Sequence, residues 1–220
     1  KSYIVPHGLP FNQRGFDDLV NKHGGYWPIE IQALPEGTVS PTRVPQIQYK
    51  ETDSDFAWAP SFLETTTIRD GAWYCSTVAT ISWEVKQICK EFLDETSDDP
   101  SAINFMLHDF GFRAASSFES GMIGGFGHLV NFMGTDTTAA LVVGRESYHE
   151  HMAGYSVIAT EHSIATIWGP KREGECLDRT LTAIENAPPE NPFPIGSHVS
   201  DSYHLWNFIN EVVRSRKERI

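Results

Sequence analysis

No stretch of the sequence approaches the roughly 18 consecutive apolar residues that a membrane-spanning helix needs, and no charged-then-apolar signal segment opens the chain. A helical membrane protein is excluded, and the cytoplasm is the expected location. Cysteine is scarce. The three thiols, Cys75, Cys89 and Cys176, form neither an even disulfide set nor a metal-ligand spacing. Cys75 and Cys89 fall on one predicted helix about 21 Å apart, too far to bridge, so a reducing compartment is expected. Positive charge is short as well: the net charge is -12, and the one basic cluster is the terminal "RSRKERI", read as a solvated helix end. Nucleic-acid binding needs clustered Lys and Arg to neutralise phosphates, so no nucleic-acid partner is expected.

Familiar site signatures are missing too. Neither a GxSxG elbow nor a Walker pattern occurs. The glycines of "GMIGGFGH" lack GxGxxG order and do not directly follow a strand, so close helix packing explains them better than dinucleotide binding. His149 and His151 in "YHEHM" stand two apart, not at the i, i+4 spacing that puts two metal ligands on one helical face. The first residue is Lys1 rather than methionine, as expected of a processed chain or a piece of a longer one.

What is present suffices for a core of ordinary size, because 40% of the 220 residues are apolar and 12% aromatic. Residues 1–60 read as part of a small β-rich domain, irregular and rich in Pro and Gly. Two alternating runs, "PIEIQAL" and "PQIQYK", look like its strands. Residues 61–100 read as a helical segment. Val78, Ile81, Val85, Ile88 and Phe92 repeat at 3, 4, 3, 4 and set one apolar stripe on a helix from about Trp73 to Glu95, which "ETSDDPSA" ends.

From residue 101 to 220 the pattern alternates four times. "INFMLHDF" precedes a helical pattern from about Ser117 to His128; "LVNFMGTD" precedes "TTAALVVGRESY"; "YSVIAT" precedes "EHSIATIW"; and "GSHVSD" precedes "SYHLWNFINEVVRSRK" after an extra helix near "CLDRTLTAIEN". Four strand-helix units in succession argue an α/β fold with a parallel sheet, open or closed into a barrel.

Each run ends in groups suited to chemistry: Asp109 with Phe110 and the nearby Arg113, then Asp136, then Glu161 with His162, then Asp201. In parallel α/β folds the carboxyl ends of the strands open on one face, where ligands bind. Duller explanations exist for each residue. Asp136 and Asp201 suit helix N-caps, His162 a hydrogen-bonded core histidine, Phe110 the core and Arg113 a surface ion pair. Capping accounts for single acids but not for Phe with Arg at one strand end and Glu-His at another. A shared small-molecule site is expected.

The segments "LHDFGFR", "HLVNFMGTDT", "GYSV", "EHS" and "VSDSY", with "WPIEIQALPEGT" and "FLETTTIRDGAWYCSTVAT" upstream, resemble the nicotinamide phosphoribosyltransferases over nearly the whole chain. The resemblance implies part of a (β/α) barrel of the type II phosphoribosyltransferase kind beside the β-rich domain. It implies transfer of phosphoribose from 5-phosphoribosyl 1-diphosphate to nicotinamide with Mg²⁺, in a homodimer with active sites at the subunit interface. It also implies roles: Phe110 stacks on the pyridine, Arg113 contacts nicotinamide and the product phosphate, Asp136 accepts from the carboxamide, and Ser156 lines the nicotinamide tunnel. His162, supported by Glu161, accepts a phosphoryl group from ATP that stimulates turnover, and Asp201 lies near the ribose and diphosphate.

Departures are Cys75 where the family has proline after Trp-Tyr, and Ala114 where it has glycine. A family chain runs about twice this length, and four strand-helix units cannot close a barrel of roughly eight strands, so a fragment is expected, inactive and self-associating on its own. Its Arg-Pro-Asp-Ser-Gly motif and glycine-rich phosphate loop are expected past Ile220. Two alternatives stay open. One is nicotinate phosphoribosyltransferase, disfavoured because Asp136 would face a carboxylate; the other is a non-catalytic nicotinamide-binding or assembly module.

Overall fold

The computed structural model describes residues 1–189, 195–200 and 205–220, with residues 70 and 71 described by backbone alone. Helix α1 (Gln13–His23) opens the fold, in a region that the sequence suggested was irregular apart from its strands. Asn12 caps it by accepting from the Gly15 N–H at 3.0 Å. Gly24, at φ 61°, ends it in the left-handed region, with the Gly25 N–H returning to the Leu19 carbonyl. Its inner face meets Phe56 and Ala59, and Phe16, Trp27 and Trp58 close an aromatic cluster around them. The two expected strands, β1 (Ile29–Ala33) and β2 (Ile47–Glu51), pair antiparallel from Ile29 opposite Glu51 to Ala33 opposite Ile47.

Helix α2 (Ala59–Thr67) runs through a wide helical turn into α3 (Tyr74–Thr96). The long helix is where the periodicity put it, but its buried face is not the expected stripe. Ile81, Ile88 and Phe92 are 60%, 56% and 60% exposed. Of the stripe only Val78 and Val85 are half-buried; Val78 faces the next helix together with Cys75, while Ala79 and Ser82 meet Asn131 just beyond it. The partner, α4 (Phe118–Leu129), brings its backbone close through its glycines, so that Tyr74, Cys75 and Val78 of α3 pack directly on it. A β-carbon on Gly127 would stand 2.7 Å from the Cys75 carbonyl oxygen, and one on Gly125 would stand 2.8 Å from Thr137 Cγ2. Beyond α4, Asn131 binds the Ala79 carbonyl and Ser82 Oγ, both at 2.8 Å.

Parallel strands follow in chain order, each far shorter than the apolar run that suggested it. β3 (His108–Asp109) pairs with β4 (Gly134–Thr135). β4 is bridged to Tyr155, and the same extended stretch continues as β5 (Ile158–Ala159) to pair with β6 (Gly196–Ser197). Length is lost at the leading end of the runs. Residues Pro100–Phe105 coil into a tight helical turn, and the N–H groups of Asn131 and Phe132 still bond to His128 at the end of α4. Helices α5 (Thr138–Tyr148) and α6 (His162–Trp168) follow their strands as expected, α7 (Glu173–Glu185) is the expected extra helix before β6, and α8 (Leu205–Asn207) continues in irregular turns to Arg216. The α/β class stands; a closed barrel is not seen among the described residues. No described helix is long and apolar enough to cross a membrane.

The basic tail is not simply solvated. Arg216 forks onto Asp178 of α7 with two 2.7 Å bonds, and Arg219 does the same to Glu185 at 2.9 and 3.0 Å. The geometry is the bidentate one that suits guanidinium to carboxylate. It pins the end of the described chain to α7.

Candidate active site

The site begins where β3 stops. Asp109 accepts the Gly111 N–H at 2.8 Å, a local turn that competes with continued strand. Phe110 therefore swings out at the strand end, 49% exposed, and Gly111–Ala114 form a single helical turn carrying Arg113. A phenyl ring so exposed has no place in the core. It rests against His108, with ring centroids 4.4 Å apart.

On the neighbouring strand, the Asp136 N–H bonds to the Asp109 carbonyl at 2.9 Å, which fixes the two strand ends side by side. Asp136 does not cap α5: Thr137 holds that position, with its own N–H bound to Thr135 Oγ1 at 2.9 Å. The Asp136 side chain is held by two donors on one oxygen. His108 Nε2 lies 2.9 Å and Ser156 Oγ 2.6 Å from Oδ1. No described residue donates to Oδ2, and the carboxylate is 44% exposed. Beneath, His128 Nε2 bonds the Gly134 carbonyl at 2.9 Å; burial pushes this imidazole below its ordinary pKa, so it serves as a neutral donor that ties α4 to β4.

Phe110, Phe112, Arg113, Asp136 and Thr137 line a cavity of about 400 Å³. Arg113 makes no hydrogen bond to a described residue, though its charge reaches Glu161. The cavity thus offers an aromatic platform, a carboxylate acceptor and a guanidinium: the groups that hold a flat ring bearing an N–H donor next to an anion.

Of the residues singled out in the sequence, Phe110, Arg113 and Asp136 share this cavity, and Ser156 joins through Asp136. Glu161 and His162 do not line it. Glu161 caps α6, accepting the Ser163 N–H at 2.8 Å. Bonds from Ser163 first, and then the charges of His162 and Arg113, hold its carboxyl below the ordinary range. His162 is exposed in the first turn of α6, so it is not the buried core histidine the sequence left open. Asp201 lies outside the described residues. His108 escaped the sequence reading because it sat inside an apolar run. Strand alternation was the available signal, since residues 108 and 110 share a face.

Parallel strands in sequence order, each with a helix behind it, define an α/β protein in which Phe110, Arg113 and Asp136 gather where β3 and β4 end. The family model of nicotinate phosphoribosyltransferase (NAPRTase) matches residues 105–216, the stretch that carries all of these strands. The chain belongs to this family. It is 47% identical over 212 residues, 96% of its length, to the nicotinamide phosphoribosyltransferase of Xanthomonas campestris pv. campestris, covering 44% of that protein. With the nicotinamide phosphoribosyltransferase of Acinetobacter baylyi the identity is 32% over 89% of this chain and 38% of the relative. The chain thus spans less than half the length of these curated relatives.

Proposed function

We propose that the protein containing this chain transfers phosphoribose from 5-phosphoribosyl 1-diphosphate to nicotinamide, giving nicotinamide mononucleotide and diphosphate. The observation that carries this reading is Asp136, which lines the cavity beside Phe110 and has a described donor on Oδ1 alone. A carboxylate there accepts from an amide NH₂ and repels the otherwise isosteric carboxylate of nicotinate. That repulsion is what favours the nicotinamide reaction over the nicotinate one within the family. In the reaction the pyridine nitrogen attacks the anomeric carbon as the bond to diphosphate breaks. Phe110 orients the ring, Asp136 holds its amide, and Arg113 offers its charge to a phosphate.

The wider reading has several parts. β3 to β6 belong to a (β/α) barrel, residues 1–60 to a small β-rich domain, and residues 61–100 to the helical segment between them. The protein works as a homodimer, a part that rests on the resemblance, and the cytoplasm is its assigned location. Mg²⁺ is assigned as the cation that accompanies 5-phosphoribosyl 1-diphosphate, a part that rests on the resemblance. Asp201 is assigned to the ribose and diphosphate region.

Incubating the complete protein with 5-phosphoribosyl 1-diphosphate and either base, and measuring mononucleotide and diphosphate, tests the function. Product from nicotinamide in clear preference to nicotinate is expected; preference for nicotinate would reverse the assignment, and no product from either would support a binding module. Phe110→Ala is expected to raise KM for nicotinamide more than for the phosphoribosyl donor. Lost stacking contributes about 0.5–1.5 kcal/mol, with lost burial added. Equal weakening of both substrates would remove Phe110 from the base site. His162, next to the Glu161 cap, is assigned as the phosphoryl acceptor, with ATP as donor. His162→Ala should abolish stimulation by ATP and leave slow basal transfer. Full stimulation in the variant would make the residue structural.

A further inference from the structure

We propose that His108 is a positioning residue for Asp136, acting through its imidazole to decide which carboxylate oxygen faces the base; this rests on Asp136 being the acceptor of the base's amide. The imidazole is itself held on two sides. Phe110 packs against one face at 4.4 Å, and at the other edge Gly134 lies so near that a β-carbon there would fall 2.7 Å from His108 Nδ1. Only 11% of the side chain is exposed. A ring clamped this way cannot turn freely, and its Nε2 points at Asp136 Oδ1 at 2.9 Å.

Ser156 donates to the same oxygen from the adjacent extended stretch. Two donors on Oδ1 leave Oδ2 free to accept from a bound base and stop the carboxylate from rotating about its last torsion, which is broad and nearly two-fold when free. Ser156 alone does not achieve this, because a hydroxyl turns about its own C–O bond, whereas the imidazole N–H has a fixed direction. The platform and the acceptor are also linked: the ring that backs Phe110 is the one that aims Asp136. Base stacking and amide recognition thus share one support.

The test uses the complete protein with three variants. His108→Phe keeps a ring against Phe110 and removes the donor. His108→Gln keeps an N–H near the Nε2 position and removes the ring, while His108→Asn is too short to reach. Expected for the Phe and Asn variants is a rise in KM for nicotinamide of roughly tenfold, the loss of one charge-assisted bond. kcat should change much less, KM for the phosphoribosyl donor should stay put, and the preference for nicotinamide over nicotinate should fall. His108→Gln should recover most of that preference. If His108→Phe does not fold, the Gln and Asn pair decides alone. A preference unchanged in the Phe or Asn variants, or equally lost in the Gln variant, overturns the proposal. Asp136→Asn run alongside separates the two levels. If it alters base preference while the His108 variants do not, only the positioning role falls; if it too is silent, the reading of the base site falls with it.

Discussion

Asp136→Asn is expected to reverse the order of the two bases rather than merely weaken one. His108 and Ser156 both donate to Oδ1, so the carbonyl oxygen of an asparagine settles there and its NH₂ takes the Oδ2 position. The cavity then meets a donor where it had an anionic acceptor. Nicotinamide loses a charge-assisted bond and gains a donor-donor conflict, which lowers its kcat/KM by about 1.5–3 kcal/mol, roughly 10- to 150-fold. Nicotinate loses its repulsion and gains a donor. Steady-state kinetics with both bases measures the ratio, and an unaltered ratio would show that Asp136 does not read the base.

Gly127→Ala carries the largest expected effect on stability. Alanine is the better helix former by about 1 kcal/mol, so on propensity alone the change should stabilise α4. Packing decides otherwise. The new methyl group would stand 2.7 Å from the Cys75 carbonyl oxygen and 3.3 Å from Val78 Cβ. A backbone oxygen cannot rotate aside as a side chain does, so α3 and α4 must separate. Overpacking costs about 1–3 kcal/mol, and here the upper part of that range applies. The net loss should lower the melting temperature by several degrees, about 2–4 °C per kcal/mol in a domain of this size. Calorimetry showing an equal or higher Tm would mean that the two helices do not approach as closely as described.

The strand-end site was legible because its logic is one of position. Phe110, Arg113 and Asp136 each followed an apolar run, and parallel topology sends such ends to one face. What could not be read was the division of labour among the acids. Asp136 looked like a cap, yet its side chain turns to His108 and Ser156, while Glu161, marked as support for a catalytic histidine, is the one that caps. Both suit either role, and the choice depends on neighbours distant in sequence. Helix α3 shows the same limit differently. Its apolar stripe was real, but burial followed the contour of glycine-rich α4, which takes Tyr74, Cys75 and Val78 and leaves Ile81, Ile88 and Phe92 exposed. Helix α1 was missed although Asn12 and Gly24 marked its ends, because the surrounding prolines and glycines dominated the reading.

The order of the strands bears on how the chain is made. β4 lies beside β3 and β6 beside β5, the stretch leading into β5 is bridged to β4 at Tyr155, and α3, α4 and α5 are likewise packed on their neighbours in the chain. Among the described residues no later strand is inserted between β3 and β4 or between β5 and β6. A polypeptide leaving the ribosome at about 5–20 residues per second can therefore add one strand-helix unit at a time to an edge already formed. The loop closed at each step spans only one unit, so its entropy cost stays small and nearly constant. Assembly of this part of the fold is thus expected to be vectorial, with its growing edge at the end being synthesised.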